Sequence, residues 1–473
     1  MIERVTLPAY LPDQSNNSGV LLRAENVFPA QDGYRSIGSL YEISDALGAA
    51  FLGGYSAIAT DGTAYLLAGT AAGLYQLESD GSWTTLVNGL TIGNRWKFAQ
   101  FGDYVITVNG STTRAVDLAG GTANALATAP TGATIAVVGD YLVIGQAGGD
   151  ISLVQWSAFR DYTGWTDGVN QAGSLPMQSG GSVMAIAGGE YGIVLQRERI
   201  MRMTRTGDSD APFQFDEVSS NFGCASGSSV AQAGRTIFFL SDRGFMALDD
   251  GQVLKPIGSE KVDRTFIEAV ARDDFTGLYT AVDPQNKLVF WCVPGAPGTV
   301  WIYNFELDRW STMSLPITGI MPGFTTSIGL DDLAVTYTNL DTMPYTLDDP
   351  RWSGGNPRLY CVSSAHKIGT LTGDKLAARM DLGFNQFTPG RVTRMRSVRP
   401  ITDAVSGMSL SVDAKARLGD TNSLTAGSTL QASGIMPLRT TGRYISTSLR
   451  VAAATEWNYV QALDYDFEPG GAR

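Results

Sequence analysis

Residues on which most catalytic and metal chemistry depends are nearly missing from this sequence. There is one histidine, His366, and there are three scattered cysteines, Cys224, Cys292 and Cys361, with no CxxC spacing. A single histidine leaves no histidine-based metal cluster, and no Ser/His triad unless His366 itself serves. The odd, dispersed cysteines make no disulfide framework and read as small buried apolar residues. Charge is sparse as well. Only 17% of the 473 residues are Asp, Glu, Lys or Arg, against roughly 25% in ordinary soluble domains. So light a charge load suits a chain that hides much of its surface in an assembly. No apolar run reaches the roughly 18 residues of a membrane span. The segment MIERVTLPAYLPDQ lacks the basic-then-apolar order of a signal peptide, so none is expected. Neither GxGxxG nor GxxxxGKS/T occurs between a strand and a helix, and no cofactor is expected. An excess of positive charge is absent too. The net charge of −12 argues against a tight grip on nucleic acid, which needs Lys and Arg on phosphates. An acidic wall can still guide passing DNA, because it repels phosphate without holding it.

Glycine, in contrast, is abundant at 55 residues. Helical proteins tolerate this poorly, since Gly in a helix costs about 1 kcal/mol relative to Ala. The best helix candidate is Lys261–Ala271, with Val262, Phe266 and Val270 on one face and Ile267 beside it. Ser259 is its expected cap and Glu260 its acidic first-turn residue. A second short helix is expected near Ser44–Ala50. Elsewhere short strands of four to seven residues are broken by Gly and Asp turns.

Those strands repeat a grammar: apolar strand, Gly-acid turn, aromatic, apolar strand. Lys97–Asn109 and Ala133–Gln146 superpose at Gly102-Asp103-Tyr104 and Gly139-Asp140-Tyr141, and Met184–Gln196 repeats the pattern at Gly189-Glu190-Tyr191. Val230–Leu240 and, more weakly, Ala57–Ala68 add further copies. The first two close copies lie 37 residues apart and the third lies 50 beyond. A period in this range points to propeller blades or a solenoid, and the irregular lengths favour the propeller. Second hairpins at Asp117–Gly121, Ser241–Gly244 and Asp249–Gly251 raise the content to about four strands per unit, that of one blade. Leu278–Trp310 and Ile320–Val362 read as two more units. The expected fold is all-β: a six- or seven-bladed β-propeller at residues 50–372, after an extended N-terminal segment at 1–49. A small C-terminal β-sandwich-like domain at 373–473 follows, where the texture changes to longer alternating strands. Asp374–Arg473 holds 12 basic and 9 acidic residues, leaving 22 of the chain's 34 basic and 37 of its 46 acidic residues in the rest. A faintly basic domain therefore sits on a strongly acidic propeller.

Four features are candidates for function. Trp156, Phe159, Tyr162 and Trp165, in QWSAFRDYTGWT, form either a blade-core anchor or an interface, since Trp and Tyr bury large areas and keep a polar handle. Arg391, Arg394, Arg396 and Arg399 form the best basic patch. On a regular strand Arg394 and Arg396 would share one face and Arg391 and Arg399 the other, for DNA phosphate or an acidic partner, or simply as a solvated face. Ser79–Thr84 (SDGSWT) resembles an aspartate box but lacks its spacers and occurs once, so a plain turn ending in a buried Trp is expected. The pairs Asp249-Asp250, Asp273-Asp274, Asp331-Asp332 and Asp348-Asp349 suit turns, and nothing brings two of them together as a glycosidase would need. None has calcium-loop spacing.

Several phrases resemble a known family. They are Leu11-Pro12-Asp13, Asn26-Val27-Phe28-Pro29, Gly33-Tyr34 and Gly38-Ser39-Leu40, then WSAFRDYTGWT, then FFLSDRGFMALDDGQVLKPIGSEKVDRTF. They are similar to the tail hub or nozzle of short-tailed bacteriophages, also called the packaged-DNA stabilisation protein. The C-terminal part resembles the family only loosely. The resemblance implies a virion structural protein, not an enzyme, assembled in the host cytoplasm. It implies a propeller subunit in a homohexameric ring below the portal and adaptor. That ring would continue the channel for double-stranded DNA, retain the genome, guide its ejection and dock spikes, fibres or a needle. No family residue carries a catalytic, cofactor or metal role onto this chain. The competing reading is a carbohydrate-binding or carbohydrate-cleaving propeller on the tail, a receptor-binding protein or depolymerase. A cellular scaffold propeller is a third, and it lacks regular WD or kelch phrases.

Overall fold

Alternation of apolar and polar residues over four to eight positions, closed by Gly turns, gives strands throughout the computed structural model, which describes residues 1–325, 339, 355–420 and 424–471. The architecture is all-β and propeller-like. Among the described residues, six sheets have four antiparallel strands each, and a nine-stranded sheet begins with a further run of four. The units follow chain order. The first is Phe51–Ile58, Ala64–Thr70, Leu74–Leu77 and Trp83–Val87; the second runs from Lys97–Phe101 to Thr122–Ala125. The third runs from Thr134–Val138 to Gly173–Pro176, the fourth from Val183–Ala187 to Phe213–Ser219, and the fifth from Ala231–Ala233 to Val253–Pro256. The sixth is Tyr279–Asp283, Leu288–Val293, Gly298–Asn304 and Arg309–Leu315. The seventh is Ile317–Phe324, Pro357–Ser363 and Ile368–Thr370, completed by Tyr41–Glu42 from the N-terminal segment.

Each repeated hairpin read from the sequence forms the first two strands of a unit. In the second unit Gly102 takes φ +63° at the head of a two-residue turn, a conformation that an L-residue resists. The first strands pack side by side in order, and the seventh returns to the first. Polar staples fix these joints. Gln100 Nε2 donates to Ile58 O of the preceding unit at 2.5 Å and to Gly102 O of its own turn at 3.0 Å. Gln232 repeats this in the fifth unit, donating to Gly188 O and Gly234 O at 2.9 and 3.0 Å. Between the third and fourth units backbone takes part as well: Gly139 N donates to Gly189 O at 2.7 Å and Gly189 N to Val137 O at 2.9 Å, and Gln146 Nε2 donates to Val183 O at 2.7 Å. Faces between units are apolar, and indole N–H groups tie them: Trp96 Nε1 donates to Thr70 O at 2.9 Å and Trp291 Nε1 to Ser229 O at 2.9 Å. Aromatic contact is densest where Phe245 of the fifth unit meets Trp291 and Trp310 of the sixth, at centroid distances of 4.7 and 5.0 Å.

After the seventh unit the chain forms long strands in two sheets. Ala378–Asn385, Met408–Lys415, Leu424–Thr429 and Tyr444–Val451 extend the sixth unit's sheet through Leu21–Glu25. Thr393–Thr402, Met436–Gly442 and Tyr459–Pro469 form a second sheet with Ile2–Thr6, Val27–Ala30 and Gly33–Ser36. Their alternating inward residues, Met380, Leu410 and Leu449 against Val398, Leu438 and Phe467, share one buried core, and Thr447 Oγ1 meets Tyr465 OH across it at 2.7 Å. Residues 1–49 thus supply strands to three different sheets.

The expected helix is present as Asp263–Ala269, flanked by the buried Val262, Phe266 and Val270. Its expected cap is not Ser259. Val262 is the capping position and offers no side-chain bond, and Glu260 lies in a left-handed turn at φ +58°. Asp13 caps the helix instead, from 251 residues away. Its carboxylate accepts the Arg264 and Thr265 N–H groups, each at 2.9 Å, and Thr265 Oγ1 at 2.6 Å. Buried Asp263 accepts from Phe245 N at 3.0 Å, and its oxygens sit where a Cβ on Gly244 or Gly258 would be, within 2.1 and 1.9 Å. Residues 44–50 are not helical. They run as a strap in which Ser44 Oγ accepts from Ile368 N at 2.8 Å and Leu47 N donates to His366 O at 2.9 Å.

Because Asp13 satisfies two helix N–H groups at once, Asp13→Ala is expected to cost about 1–2 kcal/mol. Urea denaturation followed by circular dichroism reads this as a lowered midpoint. An unchanged midpoint would mean that water replaces the cap without loss.

Candidate functional site

The first strands of the units converge, and two cations without carboxylate partners among the described residues lie near their starts. Strands of the first five units line a cavity of about 340 Å³ with Tyr55, Phe98, Ile135, Ile186 and Gln232 among its walls. Toward the starts of these strands two cations from the second unit reach across to the far side of the ring. Lys97 Nζ donates to Gly227 O at 3.2 Å, just before the fifth unit. The Arg95 guanidinium lies 3.5 Å from the centroid of the Tyr279 ring and donates to Gly277 O at 2.7 Å, before the sixth. No carboxylate pairs with either cation among the described residues. Burial, reinforced by the neighbouring Arg95 charge, lowers the Lys97 amine to about 8. Burial pushes the Cys224 thiol up to about 11 and the Cys292 thiol up to about 12, so neither is a ready thiolate. All three cysteines are buried and unpaired.

The aromatic segment is an anchor between units. Trp156 and Trp165 are buried, at 8% and 5% exposure, so these two are not available as a partner interface. Trp156 packs edge-on to Phe213 of the fourth unit at 5.4 Å, while Trp165 joins the core shared with the second unit. Half-buried Tyr162 lies 4.9 Å from Tyr104 of the second unit, and Phe159 lies 5.5 Å from Tyr141. The segment turns back on itself between the two tryptophans and so fills both flanks of the third unit.

The arginine cluster differs from its expected faces because the strand bulges. Met395 pairs with Phe467 and Ser397 with Asp466, so Arg396 is an extra residue in the ladder. Arg394, Arg396 and Arg399 therefore all stand on the exposed face, while Arg391 lies in the turn before the strand. The neighbouring strand presents Asp464, Asp466 and Glu468 on that same face. Arg396 pairs with Glu468. Beyond the acidic strand, Arg4 grips Asp464 through two bonds of 2.7 and 2.9 Å, which holds that carboxyl below its ordinary range. The patch is thus a striped surface with acid between two basic rows, and exposed pairs of this kind contribute little to stability.

The remaining candidates resolve into turns. Asp80 accepts from Ser82 N and Oγ at 2.9 and 2.6 Å within SDGSWT, and half-buried Trp83 donates to Asp45 O at 2.9 Å. Asp249 takes Thr236 Oγ1 and Lys255 Nζ at 2.9 and 2.6 Å. Asp331-Asp332 and Asp348-Asp349 lie outside the described residues, as does the side chain of Asp273. His366 occupies a tight turn at φ +60°. Among the described residues no three His, Cys, Asp or Glu side chains gather as a metal site, and no helix is long and apolar enough to cross a membrane. A groove of about 580 Å³ runs between the sixth unit and the C-terminal strands; its charges pair internally, Arg23 with Glu25 at 3.2 Å and Arg379 with Asp381 at 2.9 Å. Sequence reasoning missed the axial cations. The available signal was a lysine heading the otherwise apolar strand KFAQF.

Lys97 gives a pH dependence with a definite sign. The folded chain binds this proton less tightly than the unfolded chain, near 8 against 10.5. The cost of burying the charge is full below that window and fades as pH rises through it. Relative to Lys97→Met, the wild-type chain should gain up to about 3 kcal/mol between neutral and strongly alkaline pH, measured by urea denaturation of both. Arg95 and Cys224 are the charged and titratable groups beside it and are common to both proteins. A pH-independent difference would show that the amine is solvated.

No family model matches the chain, and no curated protein matches it. Solved structures are similar in fold only. One is the extracellular domain of a putative one-component system from B. thetaiotaomicron, with 10% identity, a TM-score of 0.39, and coverage of 84% of this chain and 45% of that one. Another is apo AztD from Citrobacter koseri, with 11% identity, a TM-score of 0.36, and coverage of 59% and 93%. The chain spans less than half the length of the first of these. At such identities they carry no argument about what this protein does.

Proposed function

We propose that this chain is a non-catalytic structural subunit of the tail nozzle of a short-tailed bacteriophage, built as a seven-bladed propeller with a sandwich-like C-terminal domain. Copies of it form a ring, six by family resemblance, that continues the DNA channel below portal and adaptor and docks spikes or fibres. The observation that supports this most is where the family-like phrases sit. They are far apart in sequence and meet at the joints of the fold. Asp13 of the Leu-Pro-Asp phrase caps the helix of the PIGSEKVDRTF phrase. Asn26 donates to Ala377 O at 2.7 Å and accepts from Ser314 N at 2.8 Å, joining propeller to C-terminal strands. Gly33 leaves no room for a Cβ, which would lie 2.2 Å from Val460 O, and Tyr34 OH donates to Pro8 O at 3.1 Å.

Charge fits the same reading. The acidic propeller part repels phosphate and so guides duplex without gripping it. The subunit's own axis is a poor route for DNA, because Lys97 and Arg95 of the second unit bond to Gly227 O and Gly277 O across from it. Duplex would pass between copies, whose opposite flanks must then complement each other head to tail.

Cryo-electron microscopy of the virion and of the purified chain tests this. The expected result is a ring with a duplex-wide bore between portal and tail tip, and particles lacking the protein should fill with DNA and then leak it. A monomer in solution together with a location only on peripheral fibres would overturn the reading in favour of a carbohydrate-binding propeller. So would stable full heads in its absence.

A further inference from the structure

A cleft of about 630 Å³ opens between the fourth and fifth units beside the Gly139 turn of the third, with Tyr191, Arg202, Thr204, Arg235 and Gln252 in its walls. That volume lies in the range of small-molecule sites. Arg202 stands on the fourth unit's third strand, Ile200–Arg205, half-buried, with its guanidinium 4.3 Å from the centroid of the Tyr191 ring. A ring under the planar group fixes it in one orientation. The other arginines at the cleft are already engaged. Arg205 pairs with Asp140 at 3.6 Å, and Arg235 with Glu190 and Asp250 at 3.0 and 3.6 Å. Arg202 has no carboxylate within ion-pair distance among the described residues, and its buried Nε has no acceptor. Asp216, opposite it across the strand pair, takes the Gln214 amide at 2.9 Å instead.

A guanidinium offers five donors in a fixed fork and accepts nothing, so an unengaged one leaves strong donors unmet. Around it two arginines, Arg205 and Arg235, face three carboxylates, Asp140, Glu190 and Asp250, so the surroundings are net negative by one charge. One free fork in such a setting suits a single negative charge better than a dianion. We infer that this cleft binds a small carboxylate-bearing ligand of the acidic-sugar type. Arg202, held on the Tyr191 ring, takes the carboxylate in a fork, and Thr204 and Gln252 reach its hydroxyl groups. The inference does not rest on the nozzle reading, since every residue it names belongs to one copy of the chain.

Ligand-observed NMR titration of the full-length chain tests it, with glucuronate as probe and glucose and inorganic phosphate as comparisons. Glucuronate should bind saturably and glucose should not. Arg202→Met keeps the aliphatic stem on Tyr191 and should weaken glucuronate by about ten- to a hundredfold. Arg202→Lys, which keeps the charge and loses the fork, should fall between the two, and it secures the test if the Met variant does not fold. Equal affinity in wild type and both variants would overturn the assignment of Arg202. Phosphate binding tighter than glucuronate would overturn the carboxylate preference, and no saturation by glucuronate at tens of millimolar would overturn the site.

Discussion

A four-stranded antiparallel sheet alone leaves two apolar faces and two hydrogen-bonding edges in water, and everything in this chain follows from having to cover them. Each unit lays its faces against the units before and after it, which works only if the series closes. Closure here is made by the chain's beginning: Tyr41–Glu42 supplies the seventh unit's last strand, so the first and last parts of the propeller region are held by ladder hydrogen bonds. The first strands lie side by side, and side chains between them must be small, apolar or stapled. Gln100 and Gln232 show the stapled solution twice, at the same place two residues before the turn glycine.

The same requirement explains the N-terminal segment. A strand such as Leu21–Glu25 pairs with the sixth unit on one side and with Ala378–Asn385 on the other, so it continues one sheet from propeller into C-terminal strands. Relative motion of the two parts would break ladder bonds and not merely slide a surface. Arg309 adds to the seam, donating to Ala30 O at 2.8 Å and Leu7 O at 3.2 Å.

What the sequence made legible was local. Gly-acid turns between apolar runs name their hairpins because both partners lie within a dozen residues, and those hairpins are the first two strands of the units. The helix showed itself through Val262, Phe266 and Val270, yet its cap did not, because Asp13 arrives from the other end of the chain. The arginine strand was misread for a different physical reason. Period-two reasoning assumes a regular ladder, and one extra residue at Arg396 moves Arg399 onto the face of Arg394. The tryptophans of QWSAFRDYTGWT were recognisable as large anchors, whereas which flank each fills depends on the turn between them. Axial Lys97 and Arg202 of the cleft were silent, since a lone cation in a strand reads as solvated until its neighbours are known.

Those two cations show how the fold divides its charge. At the axis, Lys97 and Arg95 meet backbone carbonyls and an aromatic ring, which accept hydrogen bonds and tolerate positive charge without neutralising it. On the outer sheet Arg4 and Arg396 pair with Asp464 and Glu468, so the surface that looked basic in sequence is partly balanced in space. Net acidity is therefore left to the propeller's loops and flanks, where Asp and Glu close the turns. Repulsion between such flanks would oppose a ring of identical copies unless contacts between them are apolar or pair opposite charges. The 17% charge content keeps that repulsion small, and salt weakens it further beyond about 10 Å. A low charge load and covered sheet faces are thus two sides of one solution, since few charges have to be kept out of the apolar joints between units.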